Sequence, residues 1–265
     1  MCVSQMNKHN NNDYISTYKA LEISNNGDQV YKEYNVAKEA TFDLIINDIK
    51  IASILTSPSK IKELGIGYIV CEGIAKAHEI KSIELEGTSI KAQVENSDDV
   101  ELWQELRSSG CIGFRWENSE EITIDSNTLF HYYNVFNTTT YLKSGIHSVT
   151  RGTHLAALID SRGNLISSCV DIGRHNAIDK VVGEAILNKI ELSSSYLLST
   201  GRQSAGMVLK VARAGIPLLV TKSAPLDTGI DAAIRTGLCL IGFLSTDKMT
   251  IFANEDRISF TTNGV

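Results

Sequence analysis

Hydrophobic positions along the chain follow one rhythm before residue 150 and another after it, and the two stretches predict different architectures. Phe42 to Ile51 alternates apolar and polar residues around Asn47-Asp48, which predicts a hairpin. Ser57-Pro58 then offers a cap and a first-turn proline for a helix carrying Ile61, Leu64, Tyr68 and Ile69, ending near Glu72-Gly73. Ile80 to Glu86 and Ser89 to Glu95 alternate on either side of Gly87-Thr88, a second hairpin. A short helix over 99–106 and a longer aromatic-rich one over 126–143 lead onward. The polar start of the chain, with its Asn10 to Asp13 run, predicts a disordered tail over 1–29.

From His154 the apolar runs shorten and alternate with helical periods. Leu155 to Asp160 and Asn164 to Val170 flank a Ser161-Arg162-Gly163 turn, and a helix follows. Strands at 196–199, 217–221 and 238–243 are then separated by helices at 203–214 and 227–236. A hairpin, a helix, then alternating strands and helices predict a layered α/β domain over 146–265 whose later strands are parallel. The stretch 30–145 reads as a smaller α+β domain.

Composition adds constraints on function. With 43% hydrophobic and 21% charged residues the chain is an ordinary globular one. The start does not resemble a signal peptide, and no apolar run approaches the ~20 residues that span a bilayer, so a cytoplasmic protein without membrane contact is expected. Residues 1–144 carry 13 basic and 21 acidic groups, and residues 145–250 carry 11 and 8. The net charge of −6 argues against nucleic acid as a partner, whereas the mildly basic second half suits a phosphorylated small molecule. Cys2, Cys71, Cys111, Cys169 and Cys239 are scattered and form no Cys-x-x-Cys pair, which argues against disulfides and zinc ribbons. Cys71, Cys169 and Cys239 lie in apolar elements and read as core. Cys111 lies between glycines in Ser108-Ser-Gly-Cys-Ile-Gly113, a loop where a ligand can approach.

Candidate chemistry concentrates in Asp171-Ile-Gly-Arg-His-Asn-Ala-Ile-Asp-Lys180. Ile178, Val181, Val182, Ala185 and Ile186 define the buried face of the helix it opens, and Arg174, His175 and Asn176 occupy its first turn. Free N–H groups and the positive end of the dipole make that turn suited to an anion. His175 and Asp179 are four residues apart, a spacing that lets the carboxylate orient the imidazole. Three further polar clusters follow predicted strands: Ser199 to Ser204 with Gly201 and Arg202, Lys222 to Pro225, and Leu244 to Lys248. Strand ends in α/β sheets build ligand crevices, so these clusters are expected to converge with the first.

Taken in order, Thr150-Arg-Gly-Thr-His154-Leu-Ala-Ala157, the Gly173-Arg-His-Asn-Ala-x-Asp-Lys180 string, Ser199-Thr-Gly-Arg202 and Ala214-Gly-Ile-Pro217 closely resemble the formate dehydrogenase accessory sulfurtransferase family, FdhD. The likeness extends to Ser57-Pro58, Glu63-Leu-Gly-Ile-Gly67 and Glu72-Gly73, and spans roughly residue 35 to the end. It implies a sulfurtransferase that carries persulfide sulfur from a cysteine desulfurase to the molybdenum cofactor in its bis-guanine-dinucleotide form, for formate dehydrogenase. It further implies Cys111 as the persulfide carrier. By the same resemblance Phe243, Leu244, Ser245, Thr246, Asp247, Lys248, Gly201, Arg202, Arg174, His175 and His154 hold the guanine-nucleotide-type ligand, the carboxyl-terminal domain is cytidine-deaminase-like, and the protein is a homodimer. No zinc is implied, since the deaminase signatures His-x-Glu and Pro-Cys-x-x-Cys are absent from the chain.

Three positions depart from the family pattern. Its frequent Cys-x-x-Cys reads Cys111-Ile-Gly-Phe114 here, Val170 stands where Glu commonly precedes Asp171, and Phe243 to Lys248 holds one base where the family is often arginine-rich. The first departure keeps an alternative open: a non-catalytic chaperone that binds the molybdenum cofactor for formate dehydrogenase without a covalent step.

Overall fold

The computed structural model describes residues 13–95 and 122–260. The helix expected over 99–106 and the Cys111 loop lie outside them.

An antiparallel ribbon comes first, β1 (Ile15–Ile23) paired with β2 (Gln29–Ala37). This corrects the tail expected over 1–29: from Tyr14, which is buried, the chain is ordered into strand. The signal was easy to miss because the apolar residues of the ribbon, Tyr18, Leu21, Ile23 and Tyr31 among them, stay exposed.

The first layered unit is a four-stranded sheet of order β4-β3-β6-β5, built from β3 (Ala40–Ile46), β4 (Ile49–Thr56), β5 (Ile80–Glu86) and β6 (Ser89–Val94). Both predicted hairpins are present. The β3–β4 turn places Asn47 and Asp48 at φ of 49° and 66°, the left-handed pair that a two-residue hairpin turn requires. Helix α1 (Ile61–Cys71) packs Leu64, Tyr68 and Ile69 onto this sheet. It starts later than expected, at Ile61 after Lys60, and Ser57 is not its cap. The peptide and hydroxyl groups of Ser57 instead serve the second unit, as described below.

That second unit is a six-stranded sheet of order β13-β12-β11-β10-β8-β9. Strands β8 (His154–Asp160) and β9 (Leu165–Asp171) form a hairpin, and β10 (Ser195–Ser199), β11 (Leu218–Thr221) and β12 (Cys239–Gly242) run parallel as predicted. Strand β13 (Thr250–Ala253) closes one edge antiparallel. Helices α4 (Arg174–Leu187), α5 (Ala205–Arg213) and α6 (Asp227–Thr236) cover one face, burying Ile178, Val208 and Ala232 against Leu158, Leu197 and Leu219. Successive strand residues point to opposite faces, so Tyr196 and Leu198 meet the other layer, which contains Tyr14, Phe130, Val135 and Ile146. Burial on both faces is why these strands are continuously apolar.

Residues Ile124, Phe130 and Ile146 thus belong to the cores of the second unit, and the boundary expected at 145/146 lies before residue 122 in packing terms. The aromatic helix expected over 126–143 is broken into β7 (Phe130–His131), α2 (Tyr132–Asn137) and a 3-10 turn. A further helix, α3 (Gly145–Thr150), precedes β8. Strand β7 pairs with β14 (Ile258–Ser259).

The two units join through α1 and α4. A Cβ built on Gly67 would stand 1.7 Å from the carbonyl oxygen of Asp179, and one on Gly183 would stand 1.9 Å from that of Glu63. Only glycine lets these backbones approach so closely.

Candidate functional site

The densest motif is used first for holding the units together. Asp171, at the end of β9 and fully buried, receives Lys180 Nζ at 2.6 Å, Thr56 Oγ1 at 2.5 Å, the Ser57 amide at 3.1 Å, the Gly173 amide at 2.8 Å and Asn176 Nδ2 at 3.0 Å. Lys180 also donates to the Ser57 carbonyl at 2.8 Å, and Ile172 N donates to Ser57 Oγ at 3.2 Å. A buried ion pair is tolerated only when its remaining donors and lone pairs are satisfied, and here they are.

One turn further along α4, Asp179 accepts two bonds of 2.9 Å from Lys210 of α5, and Glu72 of the α1 end meets the same ammonium at 2.7 Å. Burial works against the Lys210 charge, but Asp179 and Glu72 outweigh it and hold its pKa above the ordinary lysine value. The expected His175–Asp179 pair is therefore not formed. A full charge 31 residues ahead in the chain outcompetes an imidazole four residues behind.

His175 stands in the first turn of α4, with no hydrogen bond to its ring among the described residues. Burial, aided by Lys210 and Arg174, pushes its pKa down to about 4. Since the folded pKa lies below the usual 6.5, the unfolded chain takes up the proton first. Stability is thus retained above pH 6.5 and lost as pH falls toward 4, by up to ~3 kcal/mol. Chemical unfolding followed over that range should show the loss in the wild type and a flatter profile in His175→Gln. An unchanged profile in the variant would assign the pH dependence elsewhere.

The strand-end clusters do converge. Parallel β10, β11 and β12 deliver Thr200 to Arg202, Lys222 to Pro225 and Phe243 to Lys248 to one edge of the sheet. The Phe243 amide donates to Ser223 O at 3.1 Å and the Leu244 amide to Thr221 O at 3.0 Å. Phe243 is exposed with φ of 54°, whereas Leu244 is buried in the core and presents no side chain to a ligand. Ser245 Oγ accepts from the Asp247 and Lys248 amides, closing its own turn, and Thr246, Asp247 and Lys248 are exposed.

Gly201 differs from expectation in its use. Its amide donates to Ser199 Oγ at 3.1 Å and its carbonyl accepts from Gln203 and Thr221, so its polar groups are engaged internally. What approaches it closely is Arg174, whose Cβ and Cδ would each lie 2.8 Å from an added Cβ. Gly201 therefore makes room for an arginine rather than for a phosphate. Arg202 is exposed beside it.

At this edge lies a pocket of about 170 Å³ whose lining includes Ser144, His147, Thr153, His154, Thr200 and Lys222. His147 Nδ1 is 2.6 Å from the Thr153 carbonyl, which fixes the proton on that nitrogen. His154 Nδ1 is 3.4 Å from Thr200 Oγ1. Burial, then Arg174, His147 and Lys222, lower the His154 pKa, a sign of how much positive charge faces one imidazole. Thr153 is 4% exposed, and its hydroxyl has no partner among the described residues. Sequence reasoning found His154, Arg174 and the Lys222 cluster but not Ser144, the cap of α3, or Thr153, in the turn from α3 into β8. A larger open hollow of about 420 Å³ on the outer face of α6 mixes Asp231 with Arg235 and favours neither sign of charge.

Cysteine chemistry is narrowed by burial. Cys71, Cys169 and Cys239 are all buried as expected, and burial pushes the Cys71 thiol well up and those of Cys169 and Cys239 up to about 12. None of the three is an accessible thiolate. Cys2 and Cys111 lie outside the described residues. Among the described residues no helix is long and apolar enough to cross a membrane, and no cluster of three or more His, Cys, Asp or Glu side chains is arranged to hold a metal ion.

A mixed α/β protein with a donor-lined pocket at its parallel strand ends is the class this geometry defines. The sequence model of the FdhD/NarQ family matches residues 37–259, and the chain belongs to that family. Among curated relatives, the sulfur carrier protein FdhD of Methanothermobacter thermautotrophicus is 32% identical over 229 residues, covering 81% of this chain and 91% of the relative. That of Wolinella succinogenes is 30% identical, covering 91% and 89%. A solved structure described as a formate dehydrogenase accessory protein from Desulfotalea psychrophila superposes with a TM-score of 0.78 at 24% identity, covering 93% of this chain and all of that one, a likeness of fold.

Proposed function

We propose that this protein is a cytoplasmic, homodimeric sulfur carrier that takes persulfide sulfur from a cysteine desulfurase onto Cys111 and delivers it to the molybdenum cofactor in its bis-guanine-dinucleotide form, for formate dehydrogenase. One observation carries the reading beyond family membership: the described cysteines are buried thiols of raised pKa, which leaves sulfur chemistry to Cys111, flanked by glycines in the sequence, or to Cys2 in the polar start.

In loading, the Cys111 thiolate attacks the outer sulfur of the desulfurase persulfide. A sulfur–sulfur bond forms at Cys111 while the bond to the desulfurase cysteine breaks, and that cysteine leaves as thiolate. The exchange needs one sulfur attachment point, so Phe114 in place of a second cysteine does not prevent it.

The guanine-nucleotide cargo lies along the strand-end edge. Arg202, Phe243, Thr246 and Lys248 are exposed there to meet it, His154 faces it from the pocket, and Arg174 stands behind with its charge and the neutral His175 with its bulk. The hairpin-helix order of β8, β9 and α4 followed by three parallel strands supports a cytidine-deaminase-like layering for this unit.

Incubation with a cysteine desulfurase and cysteine tests the reading. Wild-type protein is expected to gain sulfur and Cys111→Ala to gain none; equal loading of the variant would remove Cys111 from the mechanism.

A further inference from the structure

We propose that the β1–β2 ribbon is the surface through which two copies of this chain pair, its apolar side chains buried against the second copy. The inference rests on the homodimer of the sulfur-carrier reading and names its contact surface. The sulfur step at Cys111 does not enter into it.

The ribbon is folded without a core of its own. Its two strands pair only with each other among the described residues, so both present an open edge. From Thr17 to Ile23 and from Gln29 to Val36 every residue but the half-buried Glu22 is exposed. A two-stranded hairpin standing alone in water is marginally stable at best, and it gains independent stability from further strands or a packed face. The rest of this chain holds the ribbon at its root, where β2 meets α3 and Tyr14 enters the core. Its outer length is therefore left for something else to cover.

The register shows that the apolar groups occupy both faces. Tyr18 stands opposite Tyr34, with Val30 on the same side, and Leu21 stands opposite Tyr31 on the other, with Ile23 beyond. These six side chains are 38% to 64% exposed. At ~100 Å² each, about half of what a large side chain buries, they offer roughly 600 Å² of apolar surface per chain. A stable homodimer interface of ~800 Å² per partner at ~65% apolar area needs roughly 500 Å². The ribbon thus meets the requirement unaided.

The charges favour a second copy over a polyanion or an anionic lipid surface. The ribbon and its turn carry Lys19 and Lys32 against Glu22, Asp28 and Glu33, so they present no positive sign. Several of these groups are also engaged in place: Glu22 by Lys32 and the Tyr34 hydroxyl, and Lys19 over the Tyr31 ring at 5.1 Å. What remains to drive association is apolar area. Two-fold pairing presents the same ribbon twice, so the surface that needs cover and the surface that supplies it are the same.

Light scattering on a size-exclusion column, run on the full-length protein over a range of concentrations, tests the proposal. The wild type is expected to be a dimer. Tyr18→Lys and Tyr31→Lys should each raise the dimer dissociation constant roughly 30-fold or more, the worth of a tyrosine at the centre of an interface. Tyr31→Phe should keep the dimer, and since both tyrosines are exposed the lysine variants should keep the far-ultraviolet dichroism of the wild type. A monomeric wild type would overturn the proposal and remove the homodimer with it. Lysine variants that dimerise as tightly as the wild type would overturn the proposal and leave the homodimer with another surface. Persulfide loading of Cys111, measured on the same preparations, reports separately on the sulfur-carrier reading.

Discussion

Replacing Lys180 by methionine is expected to lower the unfolding free energy by about 3–5 kcal/mol, because it leaves a fully buried carboxylate without its counter-charge. Thr56, Ser57, Gly173 and Asn176 still donate to Asp171 in the variant, yet all four are neutral and cannot balance a full charge in a dry site. The cost falls on the junction of the two units, since Lys180 also holds the Ser57 carbonyl. In urea unfolding the midpoint should drop sharply. The double variant Asp171→Asn with Lys180→Met should recover most of the loss, because neutralising both partners removes the uncompensated charge. A loss below ~1 kcal/mol in the single variant would mean that water reaches Asp171 and that the pair is not the clamp described.

The second large effect is expected at the crossing of α1 and α4. In the interior of a helix, Gly to Ala should stabilise by ~0.5–1 kcal/mol through backbone entropy and propensity alone. Gly183→Ala should do the opposite, by about 4 kcal/mol or to the point of failing to fold, because its Cβ would fall 1.9 Å from a backbone oxygen that no rotamer can move. Gly67→Ala meets Asp179 O at 1.7 Å and should behave alike. Gly206→Ala supplies the contrast: the nearest atom to its Cβ is His175 Nε2 at 3.9 Å, an ordinary contact, so its thermal midpoint should match or exceed that of the wild type. If Gly183→Ala were as stable as Gly206→Ala, the close helix contact would be wrong.

These two sites show what a linear reading can and cannot reach. The hairpin at Asn47-Asp48, the buried face of α4 and the convergence of three strand-end clusters follow from period and turn chemistry, which are local. The misreadings are long-range substitutions of partner. Ser57 reads as a helix cap but is taken by Asp171 and Lys180, more than a hundred residues away. Asp179 reads as the partner of His175 but belongs to Lys210. Gly201 reads as a phosphate turn and makes room for Arg174. The β1–β2 ribbon was lost among polar neighbours, because its apolar side chains mark no buried face. Much of the Arg174 to Lys180 motif that looks catalytic thus joins two units, and the more accessible polar groups lie beside it, at His154 and Lys222.

The central claim is that this chain carries sulfur on Cys111, and intact mass with peptide mapping after incubation with a cysteine desulfurase and cysteine tests it most directly. A reducible gain of about one sulfur atom, mapped to Cys111 and absent from Cys111→Ala, is the predicted result. No gain with an active donor, or a gain mapped to another cysteine, would contradict the account; the former would leave a cofactor-binding chaperone in its place.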